Sequence, residues 1–235
     1  MQDIAHATAM VKDAAQRGLH AVNIPAFPQS GAITAGGFGA QVLALTGDPD
    51  GPRQYDDREF DPFWQACVDA DIAVTIHLGA RIARPGQPKF LPNMVMSKLC
   101  MAEPLAILIF GGVFDRFPDL RFGAIESGSG WVAYVAEYMD AIYDNQRHWL
   151  QLELRRKPSE YFDRNIYTSF IRDREAIRNR DLPGGRNMMW STDYPHSETT
   201  WPDSRATLEW QFGDLPEADI RPIVRDNALR FYGLS

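Results

Sequence analysis

The 235-residue chain holds only two cysteines, Cys67 and Cys100, and five histidines. Neither cysteine belongs to a CxxC-type metal pair. Both lie in apolar, helix-patterned context, so they read as buried free thiols, the ordinary state in a reducing compartment such as the cytoplasm. Positive charge is also scarce. The 24 Lys and Arg stand against 31 Asp and Glu, a formal net charge of −7. Nucleic acid and anionic membranes both call for concentrated Lys/Arg, so neither is expected as a partner. The basic run Arg155-Arg156-Lys157 is short, flanked by acids, and reads as a solvated helix end. No hydrophobic run is read as membrane-spanning, and residues 1–11 carry an acid and a histidine instead of a signal-peptide layout. Internal repeats and low-complexity segments are lacking as well.

What is present is ordinary globular composition, at a length that can bury one sizeable core in one domain, residues 1–235. Apolar spacing predicts a helix over 3–17 closed by Gly18, then a short strand over 21–25. Residues 29–57 are rich in Gly, Pro, Asp and Ser and read as a long irregular loop. A helix over 61–70 and a strand over 73–77 follow, then a loop through Pro85 and Pro88. An apolar helical stretch over 93–117 is broken around Pro104 and Gly111-Gly112. Further strands are expected up to Glu126, over 166–170 and over 188–192. Helices are expected over 131–156, 173–180, 204–212 and 217–232. Strict alternation of this kind means α/β architecture with parallel strands joined by helical crossovers.

Three strands end on a group with chemistry. Ala73-Val74-Thr75-Ile76 runs into His77, Phe122-Gly123-Ala124-Ile125 into Glu126, and Met188-Met189-Trp190-Ser191-Thr192 into Asp193-Tyr194-Pro195-His196. The C-terminal ends of parallel strands are where α/β folds place ligands and catalysis. An imidazole with two carboxylates fits a divalent metal or an acid/base site. Each residue also has a plainer reading: a backbone-bonded histidine at 77, a turn acid at 193, a carboxylate at 126 paired with Arg172 or Arg81. His196 is placed to orient Asp193, and Arg81 and Arg172 to meet a substrate carboxylate. Trp131, Trp190 and Trp201 read as packing. Gly128-Ser129-Gly130-Trp131-Val132-Ala133 matches a G-x-G-x-x-A dinucleotide fingerprint, but no acid-ended strand follows at the required distance. The better reading is a helix-start turn that orients Glu126.

The segments DPFWQACVDADIAVTIHLGA (61–80), GGVFDRFPDLRFGAIESGSGWVAYVAEYMD (111–140), MMWSTDYPH (188–196) and DNALRFYGL (226–234) together resemble the amidohydrolase-related family. This is the metal-dependent TIM-barrel group that includes aminocarboxymuconate-semialdehyde decarboxylase. The resemblance implies a (β/α)8 barrel with one divalent ion, Zn first with Mn or Fe as alternatives, at its top face. His77 matches the histidine ending the fifth strand and Asp193 the aspartate ending the eighth. Glu126 stands where the sixth strand usually ends in a histidine. The family's first-strand His-x-His motif has no counterpart here. Counting back from Asp193 makes 21–25 the fourth strand, so the expectation is an N-terminally truncated, open barrel of strands 4–8. Its edge at 21–25 would be exposed and prone to self-association as a homo-oligomer. The implied activity is metal-dependent hydrolysis or non-oxidative decarboxylation of a small carboxylated substrate, with Asp193 and Glu126 catalytic. The alternative is a catalytically inactive barrel fragment.

Overall fold

The computed structural model describes residues 3–28, 53–77 and 90–234. Most of the loop expected at 29–57, and Arg81 with the loop through Pro85 and Pro88, lie outside the described residues.

Five strands form one sheet: β1 (Ala21–Ile24), β2 (Ala73–His77), β3 (Phe122–Ile125), β4 (Ile166–Phe170) and β5 (Met188–Trp190). They are all parallel and lie in chain order β1-β2-β3-β4-β5. Among the described residues, β1 and β5 each pair on one side only. This is the arrangement expected for part of a (β/α)8 barrel.

The register aligns Thr75 with Gly123, Gly123 with Tyr167 and Ser169 with Met189. Because side chains alternate along a strand, Thr75, His77, Gly123, Tyr167, Ser169 and Met189 share one face. Val74, Ile76, Phe122, Ala124, Thr168 and Met188 share the other. The second face lies under the crossover helices. There Trp64 and Phe122 meet edge to face at 6.4 Å, and Phe114 and Phe122 at 6.3 Å. Cys67 is buried in this core, which pushes its thiol pKa up to about 12. The first face is closed from below by Phe231, which packs with Ala73, Tyr167 and Met189. Gly123 makes the room for it: a Cβ there would stand 2.7 Å from the Phe231 ring.

The helices are α1 (Ile4–Gln16), α2 (Asp61–Asp69), α3 (Phe90–Leu99), α4 (Ala102–Phe110), α5 (Val113–Arg116), α6 (Val132–Leu150) and α7 (Pro158–Arg164). After them come α8 (Arg174–Arg178), α9 (Ser204–Phe212), α10 (Glu217–Arg221) and α11 (Asn227–Tyr232), the last two joined by a π-turn at Pro222–Asp226. Asp3 caps α1 by accepting the His6 amide at 2.8 Å.

Several boundaries differ from those expected. The apolar stretch breaks at Cys100-Met101, and Pro104 sits instead in the first turn of α4, where its missing N–H costs little. The residues Leu91–Phe110 are long and apolar enough, by length and composition, to cross a membrane, which corrects the reading that no run is. In the fold they are two helices, and Met101, Leu105, Leu108 and Ile109 are buried in the core. Helix α6 stops at Leu150, not at 156, because Gln151 takes φ +54°. The chain then leaves the helix axis, with the Leu154 amide on Tyr143 Oη and the Arg155 amide on Asp115 Oδ2. The basic run 155–157 is exposed in this connection, before the unanticipated helix α7.

Candidate metal centre

The site is built at the C-terminal ends of β2, β3 and β5. Strand β3 stops because Glu126 turns to φ +59°, a left-handed conformation that costs an L-residue roughly 1–2 kcal/mol. The Glu126 amide donates to Ser169 Oγ at 2.7 Å, and the Gly128 amide to the Ser169 carbonyl at 3.0 Å. The turn thus hangs on the neighbouring strand β4. Ser127 Oγ donates back to the Ala124 carbonyl at 2.9 Å and tightens the turn further.

The next residues open α6. The amides of Ser129 and Gly130 both donate to Asp173 Oδ2 at 2.8 Å, and Asp173 Oδ1 accepts from the Ala176 amide at 3.0 Å. A Cβ on Gly130 would lie 2.7 Å from Asp173 Oδ1. The amides of Ser129 and Gly130 therefore already hold a carboxylate of the chain itself, and that of Gly128 the Ser169 carbonyl. A dinucleotide, the less favoured alternative, would have to displace Asp173 from these amides.

Asp193 also stands in the left-handed region, at φ +57°. Its amide donates to Ser191 Oγ at 3.2 Å, and its carbonyl accepts the His196 amide at 2.8 Å. The Thr192 carbonyl accepts from the Thr200 amide at 3.0 Å and from Thr199 Oγ1 at 2.9 Å, which closes the loop on itself. Two cations bolt this loop down from outside. Arg172 donates through Nη1 to the Glu198 carbonyl at 2.9 Å and through Nη2 to the Thr199 carbonyl at 3.2 Å. Lys98 Nζ meets Glu198 Oε2 at 2.9 Å.

These devices bring two imidazole–carboxylate pairs together. His77 Nε2 lies 2.9 Å from Glu126 Oε2, and His196 Nδ1 lies 3.0 Å from Asp193 Oδ2. The carboxylate side chains are largely enclosed, at 12% and 15% exposure, while both imidazoles are about half exposed. One ligand atom each of Glu126, Asp193 and His196 falls within 4.8 Å of the others. Burial raises the Glu126 carboxyl above its usual range, and the charge of Asp193 raises it further. His77 and His196 pull it back down.

The donor set of two carboxylates and imidazole nitrogen is of the kind that holds zinc or manganese. Donors bound to one ion at about 2 Å lie at most about 4 Å apart, so the cluster needs only a small contraction to fit. A cation there would also offset the Glu126–Asp193 repulsion.

The structure places the expected residues as follows. His77, Glu126, Asp193 and His196 meet at one place, with His196 among the clustered ligand atoms and His77 held against Glu126. Arg172 engages loop carbonyls. Trp131 Nε1 donates to the Ser127 carbonyl at 2.9 Å and Trp190 Nε1 to the Ile171 carbonyl at 3.0 Å, both structural bonds. Trp201 is 62% exposed and packs edge-on against Tyr194 at the surface, outside the core. Sequence reasoning missed Ser169 and Asp173. Asp173 had a local signal as the cap of α8, but Ser169 acts only across the sheet, where no sequence pattern marks it.

A family profile described as amidohydrolase matches residues 9–234. A 2-amino-3-carboxymuconate-6-semialdehyde decarboxylase from Dictyostelium discoideum is 26% identical over 186 residues, covering 77% of this chain and 50% of the relative. A gamma-resorcylate decarboxylase from a Rhizobium strain is 25% identical over 214 residues, covering 85% and 62%. Among solved structures, an amidohydrolase from Mycobacterium avium subsp. paratuberculosis superposes with TM-score 0.75 at 23% identity, over 99% of this chain and 56% of that one. A dihydroxybenzoic acid decarboxylase from a Polaromonas species, with bound manganese and 2-nitroresorcinol, superposes with TM-score 0.70 at 20% identity, over 100% and 67%. At these identities the structural likenesses speak to the fold. The chain spans 50% and 62% of the two curated relatives.

Proposed function

Because the chain belongs to the amidohydrolase family, we propose that Glu126, Asp193, His196 and His77 form the divalent-metal centre of a decarboxylase for small carboxylated aromatic or muconate-like compounds. The observation that carries this is the convergence of Glu126, Asp193 and His196 within 4.8 Å at the C-terminal end of a parallel sheet. Decarboxylation is favoured over hydrolysis because the two curated relatives described above are decarboxylases. Manganese in a structural neighbour supports Mn beside Zn as the ion. The two free thiols suit a reducing compartment such as the cytoplasm.

When bound, the ion would polarise a substrate oxygen and steady negative charge near the leaving carboxylate. The chain's own groups do the rest. Asp193 and His196 fix one side of the centre, with His196 Nδ1 held against the carboxylate. Loss of CO2 leaves an electron pair on carbon, and a proton must reach that carbon. The His77–Glu126 pair shares a proton across its Nε2···Oε2 contact of 2.9 Å and is the group placed to hand one on. Enclosure of both carboxylates limits competing water.

The test is metal analysis followed by product analysis. The purified chain supplied with Mn2+ or Zn2+ is expected to bind one ion and to release CO2 from hydroxybenzoates or an aminocarboxymuconate. Amide or ester cleavage without CO2 would overturn decarboxylation in favour of hydrolysis. Absence of both metal and turnover would leave the chain as a non-catalytic member of the family.

A further inference from the structure

Ser169 lies on β4, the strand between those that deliver Glu126 and Asp193, and is only 5% exposed. The register puts its side chain on the same face as His77. Its Oγ accepts the Glu126 amide at 2.7 Å while its carbonyl accepts the Gly128 amide at 3.0 Å, so one residue grips both sides of the turn.

The two site acids need such a grip because both stand at positive φ. Asp193 finds its support locally: its amide donates to Ser191 Oγ, two residues back in the same loop. The residue two before Glu126 is Ala124, which has no hydroxyl. The equivalent bond at Glu126 comes instead from across the sheet. At position 128 the same turn uses a glycine for its positive φ of +70°. At 126 glycine would relieve the strain but remove the carboxylate.

We propose that Ser169 is a positioning residue of the metal centre: its hydroxyl holds the Glu126 amide and thereby keeps the Glu126 carboxylate turned toward Asp193 and His196. This rests on the metal-centre reading above. Without the hydroxyl, a part-buried amide loses its acceptor, which opposes burial of that N–H. The turn then relaxes toward ordinary backbone angles, and the carboxylate swings with it.

The experiment compares Ser169→Ala, Ser169→Thr and Thr168→Val in the full chain by two readouts. The first is hydrogen exchange of the Glu126 amide, which needs no metal. The second is Mn2+ affinity. Thr168 is the neighbouring residue on the opposite face, where its Oγ1 bonds Ser129 Oγ at 2.7 Å, so Thr168→Val controls for general loosening of β4. In Ser169→Ala the Glu126 amide is expected to exchange about tenfold faster or more, and Mn2+ to bind about ten- to hundredfold more weakly, as when an outer-shell partner of a ligand is lost. Ser169→Thr should restore both, and Thr168→Val should lower thermal stability while leaving both unchanged. The proposal is overturned if the Glu126 amide exchanges no faster in Ser169→Ala than in the parent, or if Thr168→Val weakens Mn2+ as much as Ser169→Ala does. A parent chain that binds no Mn2+ would sink the metal reading alone, since the Glu126 exchange rate still decides whether Ser169 holds that turn.

Discussion

Glu126 and Asp193 leave their strands in the same backbone state, at φ +59° and +57°, with a single strand between them. The left-handed step takes each carboxylate off the regular pleat and over the end of the sheet. That is how two acids on β3 and β5 bring oxygens within 4.8 Å of each other across β4.

Removing a ligand should show which residues form the set. Asp193→Ala and His196→Ala are each expected to lower Mn2+ or Zn2+ affinity by at least about tenfold, measured by competition with a chelator. Unchanged affinity in His196→Ala would take that imidazole out of the coordination set and leave it as a partner of Asp193 alone.

The raised Glu126 carboxyl predicts a pH effect on the metal-free chain. A group whose folded value lies above its unfolded one adds stability that is fully present below the unfolded value, and that stability is lost as pH rises through the folded value. Metal-free Glu126→Gln should therefore gain on the parent in thermal stability as pH rises above the ordinary carboxyl value of 4.5. With Mn2+ in excess the order should reverse at the upper end, because the bound cation then favours the carboxylate. A constant difference across the range would mean that neither burial nor Asp193 raises the Glu126 carboxyl.

Arg172→Ala tests what that guanidinium does. Its two bonds to the carbonyls of Glu198 and Thr199 make it a strut of the 191–200 loop. Their loss from an exposed site should cost about 1–2 kcal/mol, a fall of several degrees in Tm for a chain of this size. A residue that instead bound the substrate carboxylate would raise KM and leave Tm alone.

Gly130→Ala should destabilise the chain by about 1–3 kcal/mol, because the new methyl meets Asp173, Glu175 and Ala176 at once. Addition of NAD to the parent should leave its Tm unmoved. A clear upward shift with NAD would mean that the Asp173 carboxylate gives way to a pyrophosphate, against the packing described.

The strands were legible because each is a short, mostly β-branched or apolar run, and β2, β3 and β5 give way to a polar residue. Parallel order alone puts the strand ends that carry His77, Glu126 and Asp193 at one edge of the sheet. Other features could not be read. Nothing in Glu126 announces a positive φ, since it is not Gly, Asn or Asp and the strain is sustained by the Ser169 hydroxyl across the sheet. Ser169 reaches Glu126 through a register that exists only once β3 and β4 have paired. The early end of α6 depends on Tyr143 and Asp115 drawing backbone amides off the helix axis. A helical pattern over 131–150 gives no warning of that. Arg172 was read as a substrate anchor, and only the folded loop shows its Nη1 and Nη2 donating to the Glu198 and Thr199 carbonyls.

The ring of Phe231, seated in the gap that Gly123 leaves, has a consequence for how the chain is made. A ribosome adds the five strands of this sheet before it adds this phenylalanine. Until then the lower half of the inner face, around Ala73, Tyr167 and Met189, has no lid. The helices on the outer face can assemble as they emerge, whereas the inner face must wait for the last of its partners. A nascent chain stalled ahead of residue 231 is thus expected to be the form that holds chaperones longest, with its outer layer folded and its inner one still wet.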